Sequence, residues 1–196
     1  MSSKKRDEDE GIIQLVQEGR TDLFRRIVED YTPLLFSLSY RMIGRREEAE
    51  DAVQEIFAKA YRALSSFDTS RSFYSWIYTI AINHLRSLNR KKEKGTAPNI
   101  PYEDTERESI RKDQDGEAPD ELAVKRDGER LAQRAIEKLE PVYREVFVLR
   151  MVEGVSGRET SRILDIPENT VKTYLRRARK KLIEEMKNFG WTETPS

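Results

Sequence analysis

SGRETSRILDIPENTVKTYLRRARKKL, residues 156–182, is the stretch on which the reading of the whole chain turns. Ser156 and Glu159 have capping-box spacing, at which a Ser hydroxyl and a Glu carboxylate satisfy free amide donors at a helix start. The spacing predicts a helix from about Gly157 that carries the apolar pair Ile163 and Leu164. Asp165-Ile166 interrupts it. Pro167 suits the first turn of a second helix, where its missing N–H would have no partner anyway. In that second helix Val171, Tyr174, Leu175, Ala178 and Leu182 recur at i, i+3, i+4, i+7 and i+11, a stripe that packs inward. The result is a tight helix-turn-helix.

The opposite face of the second helix carries Glu168, Asn169, Lys172, Thr173, Arg176, Arg177, Arg179, Lys180 and Lys181. Six bases against one acid between Pro167 and Lys181 give +5. A helix that reads a DNA groove sets its first turns against base edges and its flanking bases against phosphates, and this order fits that division. The competing account is a solvated charge face, but such a face usually mixes signs.

The remaining composition narrows the classes. The 196 residues suit one large or two small domains. Lys plus Arg equals Asp plus Glu at 36 each, so nucleic-acid affinity must come from local segregation of charge. The absence of cysteine excludes disulfides and thiolate metal sites and agrees with a reducing cytoplasm. The start, MSSKKRDEDEG, lacks the apolar core of a signal peptide, and no run approaches the ~20 apolar residues of a membrane helix. A cytoplasmic chain without membrane insertion is expected.

Residues 1–10 are small or charged and are expected to fray. Ile12, Ile13, Leu15 and Val16 mark a short helix that stops at Gly19. Thr21 or Asp22 caps the next, through Leu23, Phe24, Ile27, Val28 and Tyr31, and Pro33 is expected to restart a third that ends at Gly44. From Glu47 to Leu64 an apolar face (Ala49, Ala52, Val53, Ile56, Phe57, Ala60, Tyr61, Leu64) opposes an acidic strip of Asp51, Gln54 and Glu55. That strip suits either a basic partner surface or plain solvent.

After the turn Phe67-Asp68-Thr69-Ser70, residues 71–92 form a helix with Phe73, Trp76, Ile77, Ile80, Ala81 and Leu85 at core spacing. Tyr74 and Tyr78 face either the core or a ligand. Asn83, Arg86, Arg90, Lys91 and Lys92 bring an amide and positive charge to the same helix. Rings beside cations are what unstacked nucleotides need, because any base stacks on a ring while cations follow the backbone. His84, with no Cys or second His near it, reads as a polar surface residue. No catalytic constellation, metal site or cofactor site is expected.

Residues 93–121 lose the hydrophobic pattern, and ten acids against four bases give −6, which predicts an extended acidic linker. Residues 122–139 regain helical spacing. Pro141 starts a further helix up to Gly154, so that four helices form a C-terminal domain separate from the N-terminal bundle. The fold class is therefore all-α, with two small helical domains, residues 1–92 and 122–190, joined by a flexible linker.

In this order the parts resemble a bacterial RNA polymerase σ factor of the extracytoplasmic-function group of the sigma-70 family. YRMIGRREEAEDAVQEIFAKAYRALSSF followed by FYSWIYTIAINHLRSLNRK is similar to the σ2 domain. LEPVYREVFVLRMVEGVSGRETSRILDIPENTVKTYLRRARKKL is similar to σ4. The resemblance implies that Asp51, Gln54, Glu55 and Phe57 belong to the helix that docks on core RNA polymerase. It implies that Tyr74, Trp76, Tyr78, Asn83, Arg86 and Arg90 serve the −10 promoter element by capturing a flipped base, with Asn83 and Arg86 the leading polar candidates. Glu168, Asn169, Thr170, Lys172, Thr173, Arg176, Arg177 and Arg179 would serve the −35 element.

Two positions depart from the group. Ser87 replaces an often acidic residue, with Asn89 able to shift readout. Asn169 stands where Gly is common; Asn tolerates unusual backbone angles, so the turn is kept, and its amide adds a base contact. The expected partners are core polymerase, promoter DNA and, as is common in the group, an anti-σ protein. The expected role is promoter recognition and strand opening, without catalysis by the chain itself. The alternative is a helix-turn-helix regulator that acts on duplex DNA without being a polymerase subunit.

Overall fold

A computed structural model describes residues 3–93 and 119–189, with side chains described over 8–92 and 127–189. Among the described residues all regular structure is helical, and it divides into an N-terminal and a C-terminal group of four α-helices each. The N-terminal group is α1 (Ser3–Gln17), α2 (Phe24–Ile43), α3 (Arg46–Ala63) and α4 (Phe73–Glu93), with 3₁₀ turns at Thr21–Leu23 and Leu64–Ser66. The C-terminal group is α5 (Pro119–Glu137), α6 (Pro141–Phe147), α7 (Gly157–Leu164) and α8 (Glu168–Asn188), with a π-helical turn, Val148–Val152, following α6. The expected linker lies outside the described residues, apart from Glu93, which ends α4, and residues 119–121, which open α5.

Three boundaries differ from the sequence expectation. First, α1 reaches back over residues expected to fray, because Asp9 is buried and accepts a hydrogen bond from the Tyr31 hydroxyl at 2.7 Å. Second, Pro33 lies inside one continuous helix instead of starting a new one. Its ring is on the exposed side, where water can reach the carbonyl left without an amide donor. Ile27, Tyr31, Leu35, Leu38 and Met42 keep a single buried stripe on both sides of it, and their packing outweighs a proline cost of about 3 kcal/mol. Third, α4 begins at Phe73, where the Ser72 carbonyl accepts from the Trp76 amide at 3.1 Å.

The N-terminal core is built around α4. Phe73 meets the edges of Tyr31 and Phe67, and Ile77, Ala81, Ile82 and Leu85 are fully enclosed. The Gln17 side chain donates to the carbonyls of Leu64 and Phe67, both at 2.8 Å, so α1 pins the α3–α4 connection. Asp68 closes that connection by accepting from the Ser70 amide at 3.0 Å.

The helix-turn-helix forms as its spacing predicts. Ser156 Oγ accepts from the Glu159 amide at 3.2 Å and donates to the Glu159 carboxylate at 2.9 Å. Asp165 ends α7 in the left-handed region at φ 55° and is the one non-glycine residue among those described with positive φ. The turn therefore rests on Asp165, and Asn169 sits in the first turn of α8 with no need of unusual backbone angles.

The two helical groups pack against each other, and their apolar residues form one continuous cluster. Gly44 marks the closeness. It caps α2 at φ 84°, and a Cβ there would lie 2.2 Å from Glu137 Oε1 of α5.

Replacing fully buried Ile77 by Ala should cost about 2–5 kcal/mol. Ser156→Ala should cost about 1 kcal/mol through the lost cap. Leu15→Ala, at a position 42% exposed, should stay within about 0.5 kcal/mol. Urea unfolding monitored by helical circular dichroism ranks the three.

Candidate nucleic-acid interface

The α3 helix carries two kinds of surface in sequence. Along its middle turns Asp51, Gln54 and Glu55 are exposed while Phe57 is buried, so the polar three face outward and the ring packs. One turn after Glu55 the surface changes sign at Lys59. Acids early and bases late in a helix also follow its dipole.

Lys59 and Ala63 of α3, with Ile80, Asn83, His84, Ser87 and Arg90 of α4, line an open recess. Its rim is amide and cation; Asn83 and Arg90 are exposed to solvent. His84, expected at the surface, is only 8% exposed and lies 2.6 Å from Lys59 through Nδ1. An ammonium can only donate, so Nδ1 is the acceptor and the ring is neutral with its proton on Nε2. Burial first, then the charge of Lys59, holds His84 below its ordinary titration range. Lys59 escapes sequence reading because it lies on α3, 24 positions before Asn83; only packing of α3 on α4 makes them neighbours.

The aromatic candidates are placed inward. Tyr74 and Tyr78 are buried with ring centroids 4.5 Å apart, and Trp76 is half-buried against Phe67 at 4.7 Å. Arg86, a leading candidate, is turned toward the C-terminal group. Its Nε and Nη2 donate to the two carboxylate oxygens of Glu145, both at 2.7 Å. The Tyr78 hydroxyl donates to Glu153 Oε2 at 3.0 Å, and Ser37 donates to Glu153 Oε1 at 2.7 Å. Burial raises both the Tyr78 hydroxyl and the Glu153 carboxyl above their ordinary values. A signal for these acids exists in the sequence: Glu145, Leu149 and Glu153 recur every four residues, which puts charge on an otherwise apolar stripe.

On α8, Val171 and Ala178 are buried and Tyr174, Leu175 and Leu182 half-buried, so the inward stripe is as read. Glu168, Asn169, Lys172, Thr173, Arg176, Arg177 and Arg179 are exposed, and Thr170 is half-buried. Thr173 Oγ1 donates back to the Asn169 carbonyl at 2.9 Å. Farther along, Lys181 pairs with Glu140 and lies over the Tyr143 ring, so the end of the basic face is braced against α6.

The acidic helix face and basic recess lie in one part of the chain and the exposed basic second helix of the helix-turn-helix in another, and the family matches follow the same division. Residues 27–95 match the family model described as Sigma-70 region 2, and residues 129–182 the one described as Sigma-70, region 4. The chain is 35% identical over 179 residues to the ECF RNA polymerase sigma factor SigW of Bacillus subtilis, covering 90% of this chain and 96% of that one. It is 32% identical over 175 residues to the ECF RNA polymerase sigma-E factor of Escherichia coli strain K12, covering 87% and 90%. The chain belongs to the ECF group of the sigma-70 family. In fold it is similar to CnrH in complex with the cytosolic domain of CnrY, with a TM-score of 0.65 at 23% identity over 92% of this chain and 97% of that one. It is likewise similar to RpoE in complex with the anti-sigma factor NepR from Bartonella quintana, at 0.64 and 23% over 84% and 96%. Among the described residues no helix is long and apolar enough to cross a membrane.

His84 and Glu153 give opposite pH signatures. A histidine with a depressed folded pKa supplies stability that is present above its unfolded value and lost as pH falls, whereas a carboxyl with a raised folded pKa favours the fold at the acid end. Between roughly pH 7 and pH 5, His84→Asn should therefore flatten the acid-side loss of stability expected of the parent chain. Unfolding midpoints across that window measure the difference.

Proposed function

We propose that the chain is an alternative σ factor that binds core RNA polymerase, recognises the −35 and −10 promoter elements and aids strand opening. The observation that carries this reading is the acidic strip and the basic, amide-lined recess placed in sequence along α3, within a chain whose other half presents the exposed basic face of α8. A regulator confined to duplex DNA has no use for the recess. Both relatives named above carry RNA polymerase in their descriptions, which supports core polymerase as the partner. Bond formation belongs to the polymerase in this reading, and the chain works in the cytoplasm.

Asp51, Gln54 and Glu55 meet core polymerase, with Phe57 setting the angle of the helix from within. Residues 1–92 carry this contact and the −10 element; residues 122–190 carry the −35 element; residues 93–121 join them. Asn83 and Arg90, with Lys59 added from the structure, offer hydrogen bonds and charge to an unstacked strand, and His84 fixes the Lys59 ammonium beside them. Tyr74, Trp76 and Tyr78 support the recess from the core side. Glu168, Asn169, Thr170, Lys172, Thr173, Arg176 and Arg177 enter the major groove, and Arg179 follows the phosphates. An anti-σ protein is a further partner in this reading, supported by the two similar folds held in complexes with such proteins or with a cytosolic domain.

The test is reconstituted run-off transcription on pooled genomic template with core polymerase, which should initiate only when the chain is added. Duplex binding without initiation would sink the reading. Arg176→Ala should weaken −35 binding by about 1–3 kcal/mol. Asn83→Ala should slow opening while leaving closed-complex affinity close to the parent value, as read by permanganate reactivity of unpaired thymines.

A further inference from the structure

Helix α1 lies ahead of residue 27, where the region 2 match begins, and still reaches the α3–α4 connection. Ile12, Ile13 and Val16 seat it on the N-terminal core, which brings its last residue, Gln17, beside that connection. There the side-chain nitrogen of Gln17 donates at 2.8 Å to the Leu64 carbonyl and at 2.8 Å to the Phe67 carbonyl. Both partners only accept, so the NH₂ of the amide faces them and both of its hydrogens are used. A second tie runs from Asp9 of the same helix to the Tyr31 hydroxyl, and the Tyr31 ring meets Phe73, the first residue of α4, edge-on at 5.5 Å.

The bridged carbonyls sit where the backbone lacks donors of its own. α3 ends at Ala63, the 3₁₀ turn Leu64–Ser66 follows, and the closing carbonyls of a helix have no amide left within it. The Leu64 carbonyl takes the Phe67 amide at 3.0 Å as well as Gln17. From this point the packing is continuous to the recess. Ala63, next to Leu64 in the chain, lines one wall. The Phe67 ring lies 4.7 Å from Trp76, and Ile80, one turn beyond Trp76 on α4, lines the other. Ser65, Ser66, Asp68, Ser70 and Arg71 are exposed, so the connection draws no apolar hold from them.

We infer that Gln17 is a positioning residue for the −10 recess: by bridging the Leu64 and Phe67 carbonyls it fixes the α3–α4 connection, and with it the spacing between the α3 wall, Lys59 and Ala63, and the α4 wall, Ile80 and Asn83. The inference rests on the −10 assignment of that recess under the proposed function. Gln17 touches no base or phosphate in this role; it acts through the backbone of the connection. Hydrogen bonds keep their strength only within a few tenths of an ångström, so walls free to shift by about an ångström hold a strand in usable geometry less often. Water can satisfy the two carbonyls when the amide is lost, but water is not anchored to α1. The bonds are then replaced while the brace is not, and the loss falls on precision more than on stability.

Gln17→Met removes both donors without adding charge, and Gln17→Glu sets carboxylate oxygens against the two carbonyls. Gln17 is exposed, so neither change should alter helical circular dichroism. The amides of Phe67, Ser70 and Arg71 are bonded within the connection and report its order by hydrogen exchange. They should exchange about tenfold faster in Gln17→Met than in the parent, with α2 and α8 unchanged, and faster again in Gln17→Glu. With core polymerase, promoter opening by Gln17→Met should slow at least about tenfold, while core association and closed-complex affinity stay within about twofold of the parent. Unchanged exchange in the connection overturns the brace. Faster exchange with opening at the parent rate overturns the positioning role, and so does a loss of core association in step with opening, which marks a residue that merely holds the fold. If the parent chain itself fails to initiate, the σ-factor reading falls, and hydrogen exchange alone decides the brace.

Discussion

A carboxylate enters a protein interior only with donors that replace its water, and the pairing of Glu145 with Arg86 is the contact on which the arrangement of this chain depends. It is made by residues 59 positions apart, one in each helical half. Around it the other cross-seam bonds line up from Ser37 to Met42 of α2, and just beyond them the Glu137 side chain of α5 lies against Gly44. What the charged seam adds is a particular way of meeting, reached by sacrificing solvation that only these partners return.

That exchange ties the fold to the function. In the proposed function α4 offers donors to DNA, although it is the most enclosed helix of the N-terminal half. The structure divides its residues by face. Asn83 and Arg90 look out over a recess completed by Lys59, while Arg86 and Tyr78 look toward α6 and the π-helical turn. One helix therefore has a face that is ready and a face that is covered. The acidic strip of α3 and the basic face of α8 are exposed.

Much of this was legible from residues alone because it is local. Capping by Ser156 and Glu159, the inward stripe of α8, the exposure of Asp51, Gln54 and Glu55, and the burial of Phe57 all follow from side chains within a turn or two of one another. Where local rules failed, a distant partner had intervened. Pro33 should stop a helix, but its exposed position and the buried stripe beneath it let α2 run on. Asp9 should fray, but Tyr31 holds it. His84 should lie on the surface, but Lys59 and the α3–α4 packing enclose it.

The sequence by itself determined the helical class and the exposed basic face of α8, since periodicity, caps and segregated charge are all short-range patterns, while the resemblance of its motifs carried the family. Tertiary structure alone decided that Lys59 joins Asn83 in one recess, that Asp165 and not Asn169 bears the unusual turn angle, and that Arg86 and Tyr78 are spent on Glu145 and Glu153. The reason is physical: a charge's partner depends on which surfaces are brought out of water together. That is a property of packing between segments far apart in the chain, which no spacing within either segment records.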